Sequence, residues 1–270
     1  MSDQQFEQEL ESAPISPINT SNMSDNTNNS LIGIKKLFSE SWKIYKNKFK
    51  VFFGILIIPT LITLFFVIFF ASIFMTVFSA NSFMSSAKTP SIILFVLGII
   101  FAVFIIIIQM WSQVSMLYVI KDYKENINIK EAYNRSKSSI FPVLIVSSWI
   151  GLALFGGFML LIIPGIIFYV WFAFSNFVLI CENIKGKKAL SRSKEYVKGK
   201  WFKVFIRLLV SIIVCAILYS IVAGIFSKIG VDKKIVENLT TLISGLFLSP
   251  FFGIYLFLLY EDLKRIKNNN

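Results

Sequence analysis

Polar side chains that could do chemistry are scarce in the apolar parts of this chain, and their types exclude more than they permit. There is no histidine among the 270 residues, so imidazole triads, imidazole metal ligands and imidazole proton relays cannot form. Neither the Walker spacing nor the dinucleotide glycine fingerprint occurs. Carboxylates cluster at the edges of the apolar runs and none falls deep inside one. That counts against proton-coupled transport, which usually marks itself with an intramembrane acid. Cys181 and Cys215 stand at or within apolar runs, and two such cysteines give neither a disulfide framework nor a zinc site. The expectation is a non-enzymatic chain without catalytic residues, metal or cofactor.

Few polar groups remain within the runs. Gln109 and Gln113 lie four residues apart, on one helical face, and Asn176 falls in a different run. These three are candidates for a polar path, and an interhelical hydrogen bond from the Gln pair is the plainer reading. Arg207 lies six residues beyond Trp201, which is about 9 Å along a helix. From there its head can snorkel to the interface or pair with a phosphate. Arg207, Lys200, Trp201 and Arg192 form the candidate set for lipid headgroups or anions. Glu182 ends an apolar run, with Lys185 and Arg192 as plausible partners. Either it makes an interfacial ion pair of small value, or it anchors residues 187–200 against the rest.

The elements that must position these groups are long and greasy. Hydrophobic residues make up 56% of the chain, against roughly 45–50% in soluble domains. Six runs, over 51–78, 91–120, 141–163, 165–181, 202–226 and 239–260, approach or exceed the ~20 residues a helix needs to cross a hydrocarbon core. The fold class expected is an all-α polytopic membrane bundle of six transmembrane helices. Pro59 and Pro250 fall inside the first and last runs and predict kinks. Ile163-Pro164-Gly165 predicts a tight turn between the third and fourth. Small residues repeat every four positions at Gly245, Ser249 and Gly253, at Ala216, Ser220 and Gly224, and at Ala153 and Gly157. Such faces permit close helix packing, within the chain or in a homodimer.

Charge placement gives orientation. Of the 27 Lys and Arg residues, six lie in 35–50, five in 121–137, eight in 185–203 and three in 264–267. The alternate connectors hold only Lys88, then Lys228, Lys233 and Lys234. Short cationic loops stay cytoplasmic, so both termini are expected there and the net charge of +12 is topological, aided by anionic lipid. Nucleic acid is not an expected partner. Residues 1–30 carry five acids and no cation, and their polar composition reads as a disordered tail. The membrane domain is expected over 31–265, with a polar end at 266–270.

Three basic amphipathic segments precede alternate runs. In 31–50, Leu31, Ile34, Phe38, Trp42, Tyr45 and Phe49 form one helical face. That helix either lies in the headgroup plane or extends the first span and packs on its neighbours. Before the third run, Asn128 and Glu131 have capping-box spacing. Before the fifth, Ala189, Leu190, Ser193, Tyr196, Val197 and Trp201 share a face. The pattern suggests three helix-plus-hairpin units.

Pro164-Gly165, Glu182, the run Ala189-Leu190-Ser191-Arg192-Ser193, Gly199-Lys200-Trp201, Ser41-Trp42 and Leu259-Tyr260-Glu261-Asp262-Leu263 carry a family likeness. The chain resembles the membrane domain attached to some bacterial glycerophosphoryl diester phosphodiesterases and related stand-alone six-helix proteins. The resemblance implies a helical bacterial inner-membrane protein. It does not imply phosphodiesterase activity, because those enzymes use a separate soluble barrel with histidines. The expected function is a lipid-associated scaffold or partner-binding module, with anionic membrane lipids, and a membrane protein or a second copy, as partners. The alternative is a small transporter or lipid-translocating protein, its path lined by Gln109, Gln113, Asn176 and Arg207 and helped by kinks at Pro59 and Pro250.

Overall fold

The computed structural model describes residues 31–83, 89–228 and 232–269. The expected tail over 1–30, and Lys88, lie outside the described residues. Every regular element among the described residues is helical: α1 Ile34–Phe83, α2 Thr89–Lys121, α3 Ile129–Ser136, a 3₁₀ turn Lys137–Ser139, α4 Ile140–Leu160, α5 Ile162–Phe172, α6 Ser175–Glu182, α7 Lys187–Val197, α8 Trp201–Ser227 and α9 Lys233–Asn268. Helix is the outcome that long Leu, Ile and Phe runs require in lipid, where each backbone group must be satisfied within its own segment. Six helical stretches are long and apolar enough to cross a membrane, α5 and α6 together forming the fourth. The chain is an all-α, multi-pass membrane bundle.

Neighbouring rods run α1, α2, α4, α5, α8, α9 and back to α1. The cation-rich segments gather at one end. There Lys48 Nζ donates to the Glu125 carbonyl at 2.6 Å, and the start of α1 meets the end of α9 through Ile32 N–H and Asp262 at 2.7 Å. The packed core lies at this basic end, with Leu37, Phe52, Ile55, Ile120, Phe174, Tyr255 and Tyr260 fully buried. Further along, Phe65, Met75, Ile100, Phe155 and Met159 point outward, as a lipid-facing surface would.

Of the two expectations for 31–50, the structure shows the extension. α1 runs unbroken for 50 residues, about 75 Å, and buries Leu37, Ser41, Ile44 and Tyr45 against the bundle. α7 buries Ala189, Leu190, Ser193, Tyr196 and Val197, the face its periodicity predicts. Glycines at positive φ bracket it, Gly186 at 61° and Gly199 at 81°, a conformation that costs other residues a Cβ clash. α9 continues past 265 to Asn268 and buries Ile266, so no structural break separates the C-terminal polar end.

Two local expectations need correction. The hairpin between α4 and α5 turns at Leu161, whose backbone is extended (φ −166°, ψ 158°), and not at 163–165. Pro164 sits in the first turn of α5, where its missing N–H costs nothing. Gly165 is there for closeness: a Cβ on it would lie 2.4 Å from the Phe158 ring. Asn128 caps α3 without a side-chain hydrogen bond. Its capping-box partner Glu131 bonds Arg135 at 2.7 Å instead, and Arg135 also binds Asp122 at 2.8 Å and Glu125 at 2.9 Å. Three carboxylates on one guanidinium outcompete the backbone N–H for Glu131.

Breaks in the helical ladder are repaired by side chains. Pro59 has no N–H for the Ile55 carbonyl, and that oxygen accepts from Ser112 at 3.0 Å and Tyr133 at 2.8 Å. The break between α5 and α6 frees the Trp171 carbonyl and the Phe174 N–H. Ser193 of α7 serves both, donating to Trp171 at 2.6 Å and accepting from Phe174 at 3.3 Å.

Candidate functional site

Three polar constellations stand out. The first is a knot at Glu182, which joins α6, α7 and α9. Its carboxylate accepts from the hydroxyls of Tyr196 at 2.8 Å and Tyr260 at 2.5 Å. Arg192 Nε lies 3.5 Å away and Lys264 Nζ 3.7 Å away. Burial, and then the Glu182 acceptor, push the Tyr196 hydroxyl up to about 12, so it remains a donor. Glu182 makes the ion pair that was one of its two expected readings, and its tyrosine contacts also tie α7 to α6 and α9. Arg192 is a partner as expected, and it also binds Glu195 at 3.0 Å. Tyr196, Tyr260 and Lys264 supply contacts that sequence reasoning did not assign. Tyr196 was legible only as part of an apolar face, and Tyr260 only as the end of a span and a member of the run 259–263 that carries the family likeness.

The second constellation is a clasp on the start of the described chain. Arg207 donates to the Ile32 carbonyl through Nε at 3.2 Å and a terminal nitrogen at 2.7 Å, to Leu31 at 3.3 Å and to Lys203 at 2.9 Å. The Ile32 N–H goes to Asp262, whose other oxygen takes Arg265 at 2.6 Å. Tyr255 donates to the Arg207 carbonyl at 3.0 Å. An arriving phosphate would compete with four backbone contacts for this guanidinium. Of the headgroup candidates, then, Arg192 and Arg207 are engaged by protein groups. Lys200 and Trp201 sit side by side at the start of α8, where Trp201 stacks on Phe205 at 5.2 Å and its buried Nε1 has no protein partner.

The third is a pair of half-open cavities on the side of the bundle, with the exposed side chains of Ile106 and Val67 on their walls. One, about 460 Å³, is lined by Gln109, Gln113, Ser147 and Asn176 among apolar side chains; the other, about 340 Å³, by Gln109, Gln113, Thr60, Thr63, Thr241 and Ser249. The structure therefore brings together three of the four residues expected to line a transport path, Gln109, Gln113 and Asn176, and leaves out the fourth. Arg207 lines neither cavity. Gln109 also makes the interhelical bond read from sequence, to Thr63 of α1 at 3.1 Å. The Asn176 side-chain amide oxygen Oδ1 is buried without a partner among the described residues. No charged side chain lines either cavity, so the chemistry on offer is hydrogen bonding to uncharged polar groups.

The small-residue faces divide. Gly253 abuts Ile120, which a Cβ would approach to 2.8 Å, and Gly157 abuts Gly165. Gly245 lines the smaller cavity, while Ala216, Ser220 and Gly224 of α8 face outward. Among the described residues no cluster of His, Cys, Asp and Glu could hold a metal ion, and both cysteines are free thiols. Comparison with protein-family models, with curated proteins and with solved structures finds no match to this chain.

Proposed function

We propose that the chain is a non-catalytic module of a bacterial inner membrane, both termini cytoplasmic, that holds anionic lipid at its basic face and serves as a scaffold there. One observation carries this reading. The segments 31–50 and 187–203 turn their apolar faces into one core, leaving Lys35, Lys36, Lys43, Lys46, Lys50, Lys187, Lys188, Lys194 and Lys198 exposed on the same end. Lys187 and Lys194 each sit 4.0 Å over a tryptophan ring, Trp149 and Trp171, an arrangement suited to an interface. Membership of the phosphodiesterase-linked membrane-domain family belongs to the same proposal. In its support, the residues that carry the resemblance include Glu182, Arg192, Ser193, Tyr260 and Asp262, the groups that tie the basic end together.

The test is lipid selectivity around the full chain in mixed bilayers. Spin-labelled phosphatidylglycerol is expected to be enriched over phosphatidylcholine at the protein surface, with the preference shrinking in molar salt. Equal partitioning of the two lipids ends this reading.

The two cavities that share Gln109 and Gln113 favour a second reading, a small transporter or lipid-translocating protein. Proteoliposomes would then move a lipid with a fluorescent uncharged headgroup between leaflets faster than protein-free vesicles, and Gln113→Leu with Asn176→Leu would slow them. Rates equal to those of empty vesicles exclude it.

A further inference from the structure

A groove of about 810 Å³ runs between the third to fifth turns of α1, the middle of α8 and the middle of α9. We propose that it holds one anionic phospholipid, an inference that rests on the basic end lying at an anionic leaflet. An acyl chain lies along Phe49, Phe247 and Leu218, and the headgroup meets Lys46 and Tyr45.

The walls fit hydrocarbon. Phe49 stacks on Phe247 at 5.9 Å and Trp42 on Tyr45 at 5.6 Å, so the aromatic lining is braced across α1 and α9. The volume lies within the ~300–1,000 Å³ common for ligand pockets.

Polarity grades along the groove. α8 runs away from the basic end, so Leu218 is deeper than Val214; α9 runs toward it, so Phe247 is deeper than Phe251. Lys46 and Trp42 lie at the basic mouth. A lipid inserted from that leaflet has the same order, charge first and chain below.

Two polar groups at the mouth make no hydrogen bond or ion pair among the described residues. Tyr45 is 6% exposed; its hydroxyl makes no hydrogen bond among the described residues and is not enclosed by protein, so it is open to an occupant of the groove. A hydrocarbon occupant, or an apolar helix, would leave that donor unmet at a cost. An ester or phosphate oxygen would satisfy it. The Lys46 ammonium lies 5.3 Å over the Trp42 ring and pairs with no carboxylate among the described residues. No acid lines the groove, so an anionic headgroup meets attraction without repulsion.

The test is native mass spectrometry of the full chain after exchange with equimolar phosphatidylglycerol and phosphatidylcholine. One phosphatidylglycerol retained per chain is expected, favoured about tenfold, the worth of a charged hydrogen bond. Lys46→Glu should remove that preference. Tyr45→Phe should weaken retention about fivefold. Leu218→Trp, at a site 39% exposed, should obstruct the acyl path beside Phe247 and weaken retention. Lys188→Glu, a cation away from the groove, should leave retention unchanged. Equal retention of both lipids, a Leu218→Trp variant that retains lipid as well as wild type, or a dimer mass in place of the lipid adduct overturns the proposal. Spin-label selectivity separates the two claims. Surface preference without effects of the groove variants defeats the groove alone, whereas loss of surface preference defeats the reading beneath it.

Discussion

Glu182→Ala is expected to destabilise the protein by about 3 kcal/mol. The side chain is 13% exposed and accepts from two buried tyrosine hydroxyls. Its loss leaves both without an acceptor, at about 1–3 kcal/mol each. The cations add less, because Arg192 and Lys264 keep 33% and 35% of their side-chain surface exposed and can rehydrate. Glu182→Gln retains an acceptor and should cost about half as much. Reversible unfolding in mixed micelles measures all of this. A Glu182→Ala protein as stable as wild type would mean that the knot contributes nothing.

Asp262→Ala should cost about 2–4 kcal/mol, since its side chain is fully buried and holds the Ile32 N–H. Arg207→Met should cost a similar amount, and Arg207→Lys should not rescue it, because one ammonium cannot bridge the carbonyls that the guanidinium fork spans. The two losses should add to less than their sum, because both release the same stretch of chain at Leu31 and Ile32. Hydrogen exchange locates the effect: a peptide over 31–37 should exchange faster in both variants while one over 111–120 stays protected. Unchanged exchange at 31–37 would show that the clasp is not what holds this segment.

The architecture was legible because its signals are local. Run length announced the spans, and the three-and-four spacing of Ala189, Leu190, Ser193, Tyr196 and Val197 announced the buried face of α7. Glu182 and Arg192 are ten residues apart across one turn, close enough to pair on sight. The clasp was not legible. Arg207 and Ile32 are 175 residues apart, and the acceptor is a backbone carbonyl that no residue type advertises. Pro164 misdirected the turn because proline is as comfortable inside a first helical turn as before one. Ser193 looked like a small member of an apolar face, and its hydroxyl repairs a break on a different helix.

The central claim, a bundle whose cation-rich segments share the cytoplasmic face, is tested by site-directed labelling. With Cys181 and Cys215 replaced by serine, single cysteines are placed at Lys188, in the basic face, and at Lys233, at the opposite end of the bundle. In intact spheroplasts a membrane-impermeant maleimide should label Lys233→Cys and reach Lys188→Cys only after lysis. Labelling of Lys188→Cys from outside, or of both positions from the same side, contradicts the account.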